Sequence, residues 1–185
     1  MVNFNRIESG ATIVLKLVNY IGACTIISFC ALLFSFKNDP IKISTKDFES
    51  AFGKWNGSLS YLDYRSGKPC TMPANVSIYI NSINNNQIIF SYQYPNEPKA
   101  NGNDTLELKD NGTRIDNAIV IVKRVNPDGS LKIETERDGI DGNGNKKALL
   151  KHIYIISNKV FISRKEVKFI YDLNWIKRNE YSFAR

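Results

Sequence analysis

A single histidine, His152, restricts the chemistry open to this chain more than any other residue. A serine or cysteine nucleophile needs a base, so a catalytic pair would have to be built on His152. That residue stands in the alternating run Lys151-His152-Ile153-Tyr154, and no Gly-rich nucleophile elbow is present. Zinc sites built on several histidines are excluded for the same reason. Of 3 cysteines, Cys24 and Cys30 lie in an apolar N-terminal segment and only Cys70 lies beyond it, so neither an intradomain disulfide nor a thiolate metal cluster is expected. Glu134 and Glu136 are two apart, which on a strand puts both carboxylates on one face, the arrangement of an ordinary solvent side. Asp141-Gly142-Asn143-Gly144-Asn145 offers oxygen ligands at alternate positions, as the first half of a calcium loop does. Lys146 then stands where that loop needs glycine and His152 where it needs its closing glutamate, so the segment reads as a hairpin loop. No catalytic residue, metal site or cofactor is assigned, and the expectation is a protein that is not an enzyme.

The net charge of +7 and pI near 9.3 raise nucleic acid as a partner. The basic residues are scattered, however. Lys123-Arg124, Lys146-Lys147, Arg164-Lys165 and Lys177-Arg178 are isolated pairs among 18 acidic residues, so the charge reads as a solvated surface and no nucleic-acid partner is expected.

The elements that position these residues fall into two parts. Residues 17–36 carry no charge, and Arg6 and Lys16 precede them. At about 1.5 Å rise per residue such a segment crosses a hydrocarbon core of about 30 Å. Basic residues on its N-terminal side keep that end cytoplasmic. Residues 1–36 therefore read as a signal peptide or signal anchor that exports the domain behind it, to a periplasmic or cell-surface location and possible attachment to the inner membrane. Ile21-Gly22-Ala23-Cys24 is similar to a lipoprotein cleavage site, but the residues after Cys24 remain apolar, and a small-residue patch in a spanning helix is the better account. Residues 37–46 form a linker, and 47–185 a single domain with one core.

Within that domain, Ser44 can cap a short helix in which Phe48 and Phe52 lie four apart, ending at Gly53. From Trp55 onward the hydrophobic period becomes two, with turn signals such as Asn84-Asn85-Asn86, Asp110-Asn111-Gly112 and Pro127-Asp128-Gly129. The pattern predicts an all-β fold with roughly eight to ten antiparallel strands, and such a meander removes its edges best by closing into an up-and-down barrel. Inward faces would carry Leu59, Tyr61, Ile78, Phe90, Tyr92, Tyr94, Ile121 and Ile133, an apolar wall with phenolic hydroxyls suited to an amphipathic small molecule. Arg164-Lys165-Glu166 and Arg178 with Glu180 interrupt the last two strands. Parity leaves open an exposed cross-strand ladder or an interior polar site, and the exposed ladder is favoured.

Gly53-Lys54-Trp55, at the junction of the helix and the first strand, resembles the Gly-x-Trp motif that opens a lipocalin barrel, or more broadly a calycin-type β-barrel. The resemblance implies a Trp55 that plugs one end against a basic residue of the last strand, for which Arg178 and Arg185 are the candidates. It also implies a non-enzymatic barrel that binds a small apolar or amphipathic ligand outside the cytoplasm. The competing expectation is a filled barrel acting as a cell-envelope structural or interaction module, touching an unspecified protein partner through loops 95–104 and 138–145.

Overall fold

The computed structural model describes residues 39–63 and 65–185. The apolar segment 17–36, with Cys24 and Cys30, lies outside the described residues, and so does the signal or anchor role assigned to it. Among the described residues no helix is long and apolar enough to cross a membrane.

Ten antiparallel strands form a closed barrel: β1 (Gly53–Leu62), β2 (Pro69–Ile80), β3 (Gln87–Gln93), β4 (Gly102–Lys109), β5 (Arg114–Ile115), β6 (Ala118–Val125), β7 (Leu131–Asp141), β8 (Lys146–Ile156), β9 (Val160–Phe169) and β10 (Ile176–Ala184). Each strand pairs with its neighbours in sequence, and β10 returns to β1 with Leu59 opposite Tyr181. The two-residue period fixes the inside of this wall. On β3, Ile88, Phe90 and Tyr92 are buried, while Ile89 and Ser91 between them are only half-buried. The predicted loop 95–104 is shorter than expected, because β4 already begins at Gly102.

Ser44 opens a helix as the sequence implied, but it is a 3-10 helix, Thr45–Ala51. The Asp47 carboxylate accepts the Ser44 backbone N–H at 2.7 Å, which satisfies one of the free donors at the helix start. Phe48 is driven wholly into the barrel and meets Tyr154 edge-on, 5.7 Å between ring centroids. This helix stops one end. There the core is continuous and filled, with Trp55, Ile78, Ile133, Ile156, Phe161 and Phe183 all almost fully buried.

Trp55 and Arg185 complete that stopper. Trp55 is 1% exposed, and its indole N–H donates to the Ala51 carbonyl at 2.7 Å. The Arg185 guanidinium lies 4.1 Å from the Trp55 ring centroid and donates to the carbonyls of Phe52 at 2.7 Å, Ser50 at 2.9 Å and Asn158 at 3.0 Å. Gly53 is needed where it stands: its φ is +114°, and a Cβ there would lie 2.9 Å from Arg185 Nη1. Arg178, the other candidate for this partnership, is at the opposite end of β10. A β-bulge between Lys177 and Asn179 turns it towards the barrel interior and Asp141.

A second bulge corrects another expectation. The ladder between β6 and β7 shifts between Val120 and Val122, leaving Ile121 opposite no single partner. Strict alternation from Ile133 therefore fails across it. Ile121 joins Ile119, Glu136 and Leu149 in a depression on the outer wall, not on the inward face where the two-residue period put it.

Candidate functional site

The end away from the stopper is hollow. A cavity of about 500 Å³ is lined by Phe90 and Tyr92 of β3, Asp104 to Leu106 of β4, Ile115 of β5, Thr135 and Arg137 of β7, His152 and Tyr154 of β8, Ser163 of β9, and Asn179 and Tyr181 of β10. Its entrance follows from uneven strand lengths. Residues 102–107 of β4 pair with β3, but β5 bonds only Leu108 and Lys109 on the other side. On β7, the ladder to β6 ends at Glu136, so 137–141 pair with β8 alone. The short β5 thus leaves the ends of β4 and β7 without a strand between them, and Asp104, Asp116, Asn117 and Arg137 border the gap.

One wall is aromatic. Tyr92 stacks on Tyr181 with centroids 4.7 Å apart, Phe90 stacks on Phe161 at 5.8 Å, and the hydroxyls of Tyr94 and Tyr181 share a hydrogen bond of 2.7 Å. Polar groups line the rest: Asn179 and Ser163 beside Tyr181 on β10 and β9, and Thr135 and His152 paired on β7 and β8. Thr135 is 1% exposed, Tyr154 8% and Tyr92 9%, yet their hydroxyls make no hydrogen bond to another described residue, and neither does the His152 imidazole. Among the described residues no side-chain polar atom is both unpaired and sealed off, so these four groups open onto the cavity. Buried polar groups find a partner almost without exception, and here the partner is whatever fills the cavity, water or ligand.

The electrostatics keep the depth of the cavity uncharged. Burial, and after it the positive charges of Lys165 and Arg137, press the His152 imidazole down to about 4, so it is neutral under ordinary conditions. Burial pushes the Tyr92, Tyr154 and Tyr181 phenols far above their usual range, and the Asp104 carboxylate adds to this for all three. Two of the cations nearby are held by one carboxylate. Asp141 accepts from Lys165 at 2.9 Å and from Arg178 at 2.6 Å, forming a partly buried triad beside the cavity.

That triad also resolves the charged run in the last strands. Alternate residues go opposite ways: Arg164, Glu166 and Glu180 pair on the outer surface, while Lys165 and Arg178 turn in. Both arrangements left open by parity are therefore present, one on each face. Asp141, the first oxygen of the calcium-like stretch, faces these two cations. Glu134 and Glu136 lie outside, held by Lys132 and Lys151.

The candidate ligand residues are dispersed by the structure. Phe90 and Tyr92 line the cavity, and Tyr94 reaches it through Tyr181. Ile78 and Ile133 belong to the filled half, with Leu59 packed against it. Tyr61 is exposed in a separate depression with Asp63, Arg65 and Arg178. Sequence reasoning missed the polar lining of Thr135, His152, Ser163 and Asn179, because each residue is unremarkable in isolation. The available signal was parity: two steps from the inward Ile133 is Thr135, and His152 lies opposite Thr135.

No protein-family model matches the chain, and no curated protein matches it. Among solved structures, the crystal structure of Rv2717c from M. tuberculosis is a weak neighbour, with 11% identity and a TM-score of 0.44 over 76% of this chain and 95% of that one.

Proposed function

We propose that this barrel is a non-enzymatic carrier or sensor that holds one small amphipathic molecule in its open half, on the far side of a membrane. The observation that carries the reading is the cavity of about 500 Å³ into which nearly buried Thr135, Tyr92 and Tyr154 direct hydroxyls that have no protein partner among the described residues. A barrel meant only as scaffold would fill this space, as its other half is filled. Catalysis has little to build on: His152 makes no hydrogen bond to Ser163 or to an orienting carboxylate among the described residues, and at about 4 its basicity is poor for activating a hydroxyl. The location beyond a membrane is supported by the uncharged stretch 17–36 with Arg6 and Lys16 before it. Gly53, Trp55 and Arg185 support a calycin-type barrel, although ten strands exceed the eight of a lipocalin.

The test is native mass spectrometry of the full chain purified from its own host type, repeated after denaturation. A mass excess lost on denaturation is the expected result, and its mass gives the chemical class. A bare polypeptide that also takes up nothing from a host small-molecule extract would overturn the proposal.

A further inference from the structure

Resting on the reading of the cavity as a ligand site, the geometry points to a specific chemical class. We propose that the buried end of the ligand is an uncharged aromatic ring bearing a hydrogen-bonding group, such as a phenolic hydroxyl or a ring N–H, and that anionic head groups are refused. Three observations combine.

First, one side of the cavity is built from aromatic rings, Phe90, Tyr92 and Tyr181, that are stacked on one another or on rings of the core. Tyr92 and Tyr181 are stacked at 4.7 Å and continue through Phe183, with the Tyr181 and Phe183 centroids 5.8 Å apart. A rigid planar ring packs against such a wall with little entropy to lose, whereas a flexible alkyl chain loses rotamer freedom there. Second, the side chains in the depth of the cavity that make no hydrogen bond to another described residue include Thr135, His152, Tyr92 and Tyr154, and these four are neutral and able both to donate and to accept. They match a hydroxyl or an amide-like edge in either polarity. Third, no unmatched cation stands in the depth of the cavity, because Arg137, the one lining cation without an ion pair among the described residues, is exposed at its rim. Lys165 and Arg178 are held by Asp141, and Arg137 stands at the entrance together with the carboxylates of Asp104 and Asp116. An anion pushed inward would face desolvation without a counter-charge, while a carboxylate left at the entrance would meet two others.

A matched series of probes tests this on the full chain near neutral pH by equilibrium dialysis: naphthol, naphthalene and naphthoate share one ring system and differ in hydrogen bonding and charge. Naphthol should bind tighter than naphthalene by about fivefold for each hydrogen bond gained. It should exceed naphthoate by more than about tenfold, the effect of burying an unpaired charge. Tyr154→Phe and Thr135→Val remove one hydroxyl each at nearly constant volume. Each should bring the naphthol affinity about fivefold closer to that of naphthalene while leaving naphthalene binding unchanged, and Thr135→Val serves alone if Tyr154→Phe does not fold. Equal binding of naphthol and naphthalene, or no binding of either, would overturn the inference, as would naphthoate binding best. Recovery of an alkyl carboxylate as the native ligand would also sink it, yet leave the cavity's binding role standing. The binding role itself fails only when the native protein carries no ligand and takes up none.

Discussion

Replacing Asp141 with asparagine removes the carboxylate that pairs with both Lys165 and Arg178 beside the cavity. The side chain of Asp141 is 3% exposed and that of Arg178 is 10%, while that of Lys165 is 24%. Breaking a buried pair by removing one partner costs about 3–5 kcal/mol, because the surviving charge stays buried and uncompensated. Lys165 can swing its ammonium towards water and so relieve its share. Arg178 cannot shed its proton and lies over the Phe169 ring, 5.6 Å from the centroid, so it stays charged in place while losing its bond to Asp141. The lower end of the range applies: Asp141→Asn should lose about 3 kcal/mol, which is about 6–12 °C in Tm for a domain of this size. Glu180→Gln is the control. Glu180 is paired with Arg164 and Lys177 on the outer wall, where Lys177 is half exposed, and its loss should cost no more than about 1 kcal/mol. Urea unfolding of both variants, with the double mutant Asp141→Asn/Arg178→Met, measures the difference. Equal losses for Asp141→Asn and Glu180→Gln, or a cycle with no coupling between positions 141 and 178, would refute the argument that burial sets the size of the effect.

His152 predicts a pH dependence. Its folded value of about 4 lies below the ordinary 6.5, so between these values the unfolded chain binds the extra proton, and stability must rise with pH across that window. The part lost on acidification from neutral to below 4 is about 3 kcal/mol, and His152→Gln should remove that part of the slope in pH-dependent denaturation. Ile133→Ala in the filled half should destabilise by about 2–5 kcal/mol by chemical denaturation, whereas Ile121→Ala on the bulge should cost less than about 1.5 kcal/mol; a reversed order would mean that Ile121 faces inward after all. The tip between β9 and β10 exposes Tyr171 at 97% and Leu173 at 94%, so Tyr171→Ser with Leu173→Ser should change stability by no more than about 0.5 kcal/mol in thermal melts.

How much of this was legible in the sequence depends on how local each cause is. The strand series, the turns and the closing Gly53-Lys54-Trp55 follow from period two, turn chemistry and one glycine, all of which act over a few residues. The bulges at Ile121 and Arg178 do not. Each adds one residue to one strand, and nothing in the run Val120-Ile121-Val122 marks which of three β-branched residues will be left unpaired. One extra residue then moves Ile121 out of the barrel and turns Arg178 into it. The same limit applies to the pairing of Asp141 with Lys165 and Arg178, which requires the register of four strands at once.

The division of the barrel into a filled and a hollow half has an energetic logic that joins these observations. Burying apolar area stabilises at about 25 cal/mol per Å², and the half around Trp55, Phe48 and Ile133 uses that to its fullest, with a helix as stopper and Arg185 bracing it. The other half has only a small apolar cluster of its own, Ala148, Leu150 and Val167 with Phe169 against them. It adds an ion triad, and it leaves neutral donors and acceptors turned inward on a space large enough for a small molecule, open where the short β5 ends. A fold under selection for stability alone would replace Thr135 and His152 by valine or leucine and close the space, because apolar side chains there would add buried apolar area. Their presence side by side on the paired strands β7 and β8, lining one space with Tyr92 and Tyr181, is therefore the feature behind the proposal of a bound molecule.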